Sequence, residues 1–489
     1  MTAAESSRSR LILGIAGGFA MTWAIVRAYV QSITIDEADT YNSFVFKHLY
    51  LWWASNNHIV NSMLMYGFTA WLGTSQFTVR LPALLGAALY VGAVYRLCRL
   101  LGASLFVQLT LFICMVFNPF IFDFLVAARG YSLALAFLMW SIVYFAEQYL
   151  QEAEQREPGN GWLLTACAVS SACAGLSVGA NFSFAFVNLS TMTAILVFAW
   201  YKRSNQWLGV LAVSVLPGAV IVTIVSSYAL LHTYAGELFY GAHSLRETFA
   251  TVMAASLFHN RFETLQPFVF PLVGATGLLW LLYLVFQRTT ARLAPLGFAA
   301  AAVFASTAAL HYAIFRLFDL LLPKDRTAIF FFPLFMIVAG VLASIPAASR
   351  GGKILRSSFV GSLALMAVYF LFCLRLTYFK EWRWNADVQK TYAMLTCLNR
   401  TQQVTRVSST WSYLSALRFY QLAGPTSLQE VADAYDPQQT QVYVIDSLHT
   451  PEALQGDLKI FYRSPVTDLV LAAKPPLADT YSAATCLRE

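Results

Sequence analysis

From Leu11 to about Tyr378 the chain alternates long apolar runs with short polar breaks, and from Glu381 onward that alternation stops. A helix needs about 20 apolar residues to cross the hydrocarbon core of a bilayer. Eleven runs come close to or reach that length: 11–31, 78–100, 104–122, 131–149, 161–180, 182–200, 207–230, 267–286, 294–315, 328–346 and 357–378. Between the first two runs, Tyr41, Phe44, Val45, His48, Leu49 and Trp52 recur at spacings of three and four, which marks one face of a helix. Asn42, Ser43 and Lys47 occupy the other face, a pattern that suits a helix lying in the membrane interface. After Asn56-Asn57-His58 a second amphipathic segment runs to about Leu72. Beyond residue 380 the pattern predicts helices over 387–399 and 414–420, a buried strand over 441–445 and a further strand over 460–462. The expected architecture is mainly α: a polytopic transmembrane domain over 1–378, with two interfacial helices in its first external loop, then a small soluble α/β domain over 379–489.

Composition agrees with this division. Of the 489 residues, 58% are hydrophobic and only 12% are charged, about half the charge of an ordinary soluble chain. Every second break is short and basic: Arg8 and Arg10, Arg96 and Arg99, Lys202 and Arg203, Arg288 and Arg292, then Arg350, Lys353 and Arg356. The positive-inside rule puts these in the cytoplasm, although the break over 147–157 is acidic on balance. Eleven spans from a cytoplasmic N-terminus carry the C-terminal domain to the external face. The net charge of +7 is then a topological signal, and it gives no reason to invoke nucleic acid. The short basic start and the long first run predict a retained helix rather than a cleaved leader. Seven cysteines show no metal-ligand spacing. Five lie in or beside spans and read as small buried hydrophobes. Cys397 and Cys486 fall in the domain placed on the oxidising side, and whether they pair is left open. There is no internal repeat, glycine-rich phosphate loop or low-complexity tract.

Candidate chemistry gathers in four external segments, 32–77, 123–130, 231–266 and 316–327. Asp36, Glu37 and Asp39 supply carboxylates, and Arg80, Arg129, Arg316, Lys324 and Arg326 supply cations at outer helix ends. Charges beside lipid are costly unless they sit in water or in a site. Arginine holds phosphate oxygens bidentately and stays charged. A carboxylate within hydrogen-bond reach of a hydroxyl can take its proton, and partial burial strengthens it as a base. Such a set suits displacement of a lipid phosphate. Taken on residue type alone, the acids serve equally well as a solvated cap and first turn for the helix that follows.

The motifs carry a family resemblance. Asp36-Glu37 after the first span resembles the acidic pair of the GT-C glycosyltransferases, in particular the protein O-mannosyltransferase and lipid A aminoarabinose-transferase group. Asn57-His58-Ile59-Val60-Asn61-Ser62-Met63-Leu64 is similar to that group's His-Pro-Pro-Leu segment, with both prolines absent. Thr78-Val79-Arg80-Leu81-Pro82 resembles its Arg-Leu-Pro start to the second span, and Ala128-Arg129-Gly130-Tyr131 its Ala-Arg-x-Tyr turn. Lys324-Asp325-Arg326-Thr327 precedes a late span where relatives carry an arginine. The resemblance covers residues 10–150 well and 310–346 weakly.

The resemblance implies a polyprenyl-phosphate sugar as donor, inversion at the anomeric carbon, a glycan, lipid or protein acceptor, and a prokaryotic inner membrane as the location. Asp36 is then the expected general base and Glu37 the residue that orients base or acceptor. Arg129 and Arg326 are expected on the donor phosphate, with His58, Arg80, Lys324, Asp39 and Tyr131 completing the substrate-binding set; for Arg80 the alternative is a structural pairing with the acidic loop. No cofactor is expected; a divalent metal on His58 with Asp36 or Asp39 is the minor alternative. His243, His259 and Glu263 are weaker candidates for acceptor contact. Two rival readings stay open at this point: a transporter or flippase of an amphipathic lipid-linked substrate, and a catalytically silent protein that keeps the fold.

Overall fold

The structure, a computed structural model, describes residues 3–52, 54, 56–152, 161–202, 207–231, 240–258, 263–287, 292–433, 440–446, 458–475, 477–481 and 486. Arg203, Arg288, His259 and residues 153–157 of the acidic break lie outside the described residues, as does the side chain of Glu263. Among the described residues ten helices are long and apolar enough to cross a membrane, and a bent pair makes an eleventh. They begin with α1 (Ala3–Val30), followed by two short helices, α2 (Ile35–Thr40) and α3 (Ile59–Leu72), and the second span α4 (Gln76–Leu100). The bent pair is α5 (Leu105–Val116) and α6 (Pro119–Val126), and the chain then turns into α7 (Tyr131–Glu152). Next come α8 (Gly161–Ala180), α9 (Ala185–Lys202), α10 (Trp207–Leu231), the shorter α11 (Leu245–Ser256) and α12 (Gln266–Phe286). The last spans are α13 (Ala294–Phe318), α14 (Phe331–Ser344) and α15 (Arg350–Phe372).

The third predicted span, 104–122, crosses a break. Asn118 accepts from the Phe120 and Ile121 amides at 2.9 and 3.2 Å and restarts the helix at Pro119. Proline at the first position of a helix loses no hydrogen bond, so the chain bends by 58° here at little cost. The bend carries the short half α6 toward the turn at 127–130.

The first external loop differs in detail from its sequence pattern. The helix starts six residues earlier than the aromatic stripe, because Thr34 and Glu37 form a reciprocal capping box that fixes its first turn. After Thr40 it widens, with Phe46 N bonding Tyr41 O and Leu49 N bonding Phe44 O, and then ends. Asn57 takes over beyond that point by donating to the Tyr50 and Trp52 carbonyls. A side chain thereby satisfies backbone groups that a longer helix would have paired.

The C-terminal part contains α16 (Val388–Gln402) and α17 (Trp411–Ala423), close to the expected helices. Its five strands are β1 (Val407–Ser409), β2 (Ala432–Asp433), β3 (Val442–Asp446), β4 (Lys459–Arg463) and β5 (Leu469–Ala473). They form one mixed sheet in the order β2-β1-β3-β5-β4, parallel on the β1 side of β3 and antiparallel on the other. Cys397 and Cys486 are joined in a disulfide, which answers the question the sequence left open. This part packs directly onto the first external loop. Ile33, Ala38, Tyr41 and Met65 share one apolar cluster with Val388, Leu395, Tyr413 and Phe419. The Tyr420 hydroxyl accepts from Ile33 N at 3.0 Å and donates to Gln76, and Asn385 accepts from Ile35 N at 2.9 Å. The backbone of the acidic helix is thus held from two sides.

Candidate active site

Asp36 and Glu37 are neighbours in the first turn of α2. Successive residues on a helix point about 100° apart, so the two acids face different surroundings. Glu37 points inward and is fully buried. Its two carboxylate oxygens accept from Arg80 Nε and Nη2 at 2.9 and 2.7 Å, from Ala128 N at 2.8 Å and from Thr34 N at 2.9 Å. Burial pushes its carboxyl up, but the Arg80 guanidinium and these hydrogen bonds outweigh that and hold it below the ordinary glutamate range. Arg80 also donates to the Ala28, Gln31 and Ser32 carbonyls where α1 ends. Both side chains are consumed by one another and by backbone, and neither faces the cluster described next.

Asp36 points the other way and keeps 21% of its side-chain surface exposed. One of its oxygens, Oδ2, is the meeting point of two guanidinium groups. Arg326 Nη1 lies 3.0 Å from it and Arg129 Nε 3.8 Å. Arg129 reaches this place from the tight turn between α6 and α7, where Glu37 grips the neighbouring Ala128 amide. Its Nη1 donates to the Asp36 carbonyl, to Thr40 Oγ1 and to the Asn56 carbonyl, and its Nη2 donates to Asn56 Oδ1. Gly130 follows with φ +73, and its Cα lies so near α8 that a Cβ would meet Ala180 O at 2.2 Å. Only glycine fits such a turn.

The expected residues divide into three groups. Asp36, Arg129 and Arg326 come together. His58 and Tyr131 flank them, their rings edge to face at 5.6 Å. Burial first, and then Arg129 and Arg326, keep the His58 imidazole well below its usual range, so it is neutral. Asp39 stands one step back and accepts from Asn56 Nδ2 at 2.8 Å. Glu37 and Arg80 are apart, as described, and Lys324 is engaged elsewhere, 2.8 Å from Glu247. Arg316 and His243 are exposed, outside the cluster.

Two residues of the cluster were not anticipated. Asn56 bridges Arg129 to Asp39, and Glu381 approaches Arg326 Nη1 from the far side at 3.6 Å. Glu381 arrives on the segment after the last span, which a buried acid anchors. Asp123 in α6 accepts from Arg27 Nη2 at 2.7 Å, from Lys380 N at 2.9 Å and from Arg375. Trp382 then lies against the Arg326 guanidinium, 5.7 Å from ring centre to carbon, with Tyr240 on another side at 5.9 Å. Burial pushes the Glu381 carboxyl up to about 7 against the pull of Arg326, and Asp325 and Asp36 add to the rise. The sequence signal for Asp123 was a lone acid inside the run Phe120–Val126. Glu381 gave none, because it sits among the first charges of the soluble part.

Four buried polar atoms of the cluster find no hydrogen-bond partner among the described residues: Asp36 Oδ2, Arg129 Nε, His58 Nε2 and Glu381 Oε2. Buried polar groups are ordinarily satisfied, and so many unsatisfied ones in one place indicate a surface built for a polar ligand. Among the described residues no three His, Cys, Asp or Glu side chains gather closely enough to hold a metal ion. Beside the cluster a groove of about 460 Å³ opens between Asp39, Asn42, Ser43 and Lys47 on one wall and Ser415, Arg418 and Glu430 on the other. An apolar crevice lined by Phe145, Leu150 and Leu296 lies at the opposite end of α7, roughly 25 Å from Tyr131 at 1.5 Å per helical residue.

No protein-family model and no curated protein matches the sequence. The fold does have solved counterparts. ArnT from Cupriavidus metallidurans bound to undecaprenyl phosphate superposes with a TM-score of 0.53 at 12% identity, over 96% of this chain and 98% of that one. The apo state of ArnT from the same organism gives 0.51 at 13% identity, over 95% and 97%. The chain therefore has the GT-C-type fold along nearly its whole length, including the C-terminal part, as the early motifs implied.

Proposed function

We propose that the protein is an inverting membrane glycosyltransferase that moves a sugar from a polyprenyl-phosphate donor to a hydroxyl acceptor at the external face of the membrane. The observation that carries this reading is the convergence of Arg129 and Arg326 on one oxygen of Asp36, beside buried polar atoms that make no hydrogen bond. The solved ArnT that shares the fold is bound to undecaprenyl phosphate, which supports a lipid phosphate as the donor's carrier here.

The roles follow from the geometry. Asp36 Oδ2 takes the proton of the acceptor hydroxyl as its oxygen bonds to the anomeric carbon. The bond from that carbon to the phosphate oxygen breaks on the opposite face, and the polyprenyl phosphate leaves with the electron pair. Arg129 and Arg326 offset the charge it gains, in a site shielded from water where such contacts count most. Neutral His58 can hydrogen-bond a sugar hydroxyl through Nε2 without adding charge. Holding donor and acceptor in line contributes much of the rate. The polar groove between α2 and α17 gives a hydroxylated acceptor a route that ends beside Asp39. A transporter of this architecture calls for ionisable groups at the middle of broken helices. Arg27, Arg129 and Arg326 sit at helix ends instead: in the last turn of α1, in the turn before α7 and just ahead of α14.

Asp36→Asn is the direct test. With radiolabelled polyprenyl-phosphate sugars and purified protein, the parent is expected to transfer or release sugar. The variant is expected to lose two to four orders of magnitude, about the range of general-base removal. Equal rates in the two proteins exclude the mechanism; donor binding without turnover in the parent identifies a silent protein that keeps the fold.

The same reading places the C-terminal part outside the cytoplasm, in line with its disulfide. In intact cells a membrane-impermeant maleimide is expected to label Cys397 and Cys486 only after reduction. No labelling after reduction reverses the orientation, whereas labelling before reduction contradicts the disulfide.

A further inference from the structure

Two carboxylates compete for one guanidinium nitrogen. Arg326 Nη1 contacts Asp36 Oδ2 at 3.0 Å and Glu381 Oε2 at 3.6 Å, and neither oxygen makes a properly aligned hydrogen bond. One cation does not neutralise two acids held this close, so the second acid binds its proton more tightly than usual. Asp36 has Arg129 as a second cation and Glu381 does not. The groups facing Glu381 are Arg326 and Asp325 from the segment before α14, Asp36 from α2, Tyr131 from α7, Tyr240 from the segment before α11 and its own neighbour Lys380. Its position is fixed from behind: Asp123 grips the Lys380 amide and the Arg375 guanidinium, and Trp382 packs on Phe124 at 5.7 Å.

We propose that Glu381 belongs to the donor-phosphate site, and that an anionic phosphate on Arg326 displaces its carboxylate and leaves it protonated, so that binding of the polyprenyl phosphate takes up a proton. This rests on the glycosyltransferase reading above and extends it to a residue outside the resemblance. The balance is simple. Free protein holds the Arg326–Glu381 contact with the carboxylate ionised part of the time. A phosphate arriving at Arg326 replaces that anion, repels it, and solvent supplies the proton that neutralises it. The carboxylic acid then donates its O–H to a phosphate oxygen. A carboxyl that titrates near 7 makes the effect visible under ordinary conditions.

The test is calorimetric titration of the purified full-length protein with undecaprenyl phosphate at pH 8, in buffers of different ionisation enthalpy. At that pH a phosphate monoester, whose second pKa is about 6, is already fully ionised and exchanges almost no protons itself. Wild-type protein is expected to take up close to one proton per ligand bound, and Glu381→Gln almost none. Linkage then requires the wild-type Kd to weaken toward tenfold per pH unit above about pH 7, while the variant's stays flat. Binding with no uptake in the wild type, or equal uptake in both proteins, overturns the proposal and leaves the proposed function standing. Failure of the wild type to bind undecaprenyl phosphate overturns both. If Glu381→Gln does not fold, the wild-type proton count and its pH slope decide the matter alone.

Discussion

Glu37→Gln is expected to destabilise the protein by about 3–5 kcal/mol, the cost of leaving a buried guanidinium without its counter-charge. Arg80 has no exposed surface, so water offers it no substitute partner. The substitution keeps the shape of the side chain, removes the charge and turns one acceptor oxygen into an NH2 that faces two donors, so the loss combines the ion pair with that mismatch. The sign with pH follows from the depressed carboxyl. A carboxylate held below its ordinary range in the folded state contributes stability that is complete above that range and is lost as pH falls through the folded value. Wild-type and variant unfolding curves are therefore expected to approach each other in acid. Thermal unfolding in detergent, followed by tryptophan fluorescence, measures the difference at neutral pH. A change in Tm below about 1 °C contradicts the argument. Activity should fall as well, although Glu37 touches no substrate, because its Oε1 holds the Ala128 amide beside Arg129.

Gly130→Ala is expected to be more severe for so small a change. The residue has φ +73, where a side chain adds strain, and its Cβ would stand 2.2 Å from Ala180 O and 2.9 Å from the Cβ of His58. Neither neighbour is the far end of a flexible side chain. One is backbone at the end of α8 and the other begins α3, so the whole turn has to move. Strain at a left-handed position costs of order 1–3 kcal/mol, and overpacking adds typically 1–3 more. Arg129 sits one residue away, so the turn cannot shift without drawing its guanidinium from Asp36. The expected result is loss of folded protein from detergent extracts, or folded protein that no longer binds polyprenyl phosphate. Wild-type yield together with wild-type binding excludes the clash.

The layout of spans was legible because the bilayer enforces one length on every crossing helix. Asp36, Arg129 and Arg326 were legible for a related reason: a charge at the end of an apolar run stands out against its surroundings. What failed was anything decided by direction. Asp36 and Glu37 read as a functional pair, yet the step of about 100° between successive helical residues gives them different surroundings, and only packing against Arg80 and Ala128 shows which is which. Lys324 carries the right charge, and its partner Glu247 has already taken it, whereas Arg80 pairs with the acidic loop as its alternative reading had it. Asn56 was passed over as part of a polar break, since nothing in its neighbours shows that Arg129 comes back to it from 73 residues away. Glu381 was read as the first charge of a soluble domain. Its return to the membrane surface depends on Asp123, 257 residues before Lys380, and no local pattern encodes a contact of that span.

The order of those contacts along the chain has a consequence for biosynthesis. Synthesis and insertion run from the N-terminus, so the Arg80–Glu37 pair can close once the second span is in place. The Ala128 amide joins it after the third. Asp36 then waits for residue 326, and Asp123 waits until residues 375–380 have left the ribosome. A nascent chain therefore carries a finished scaffold around an incomplete reaction centre for most of its translation, and the last acid arrives only when nearly four-fifths of the polypeptide exists.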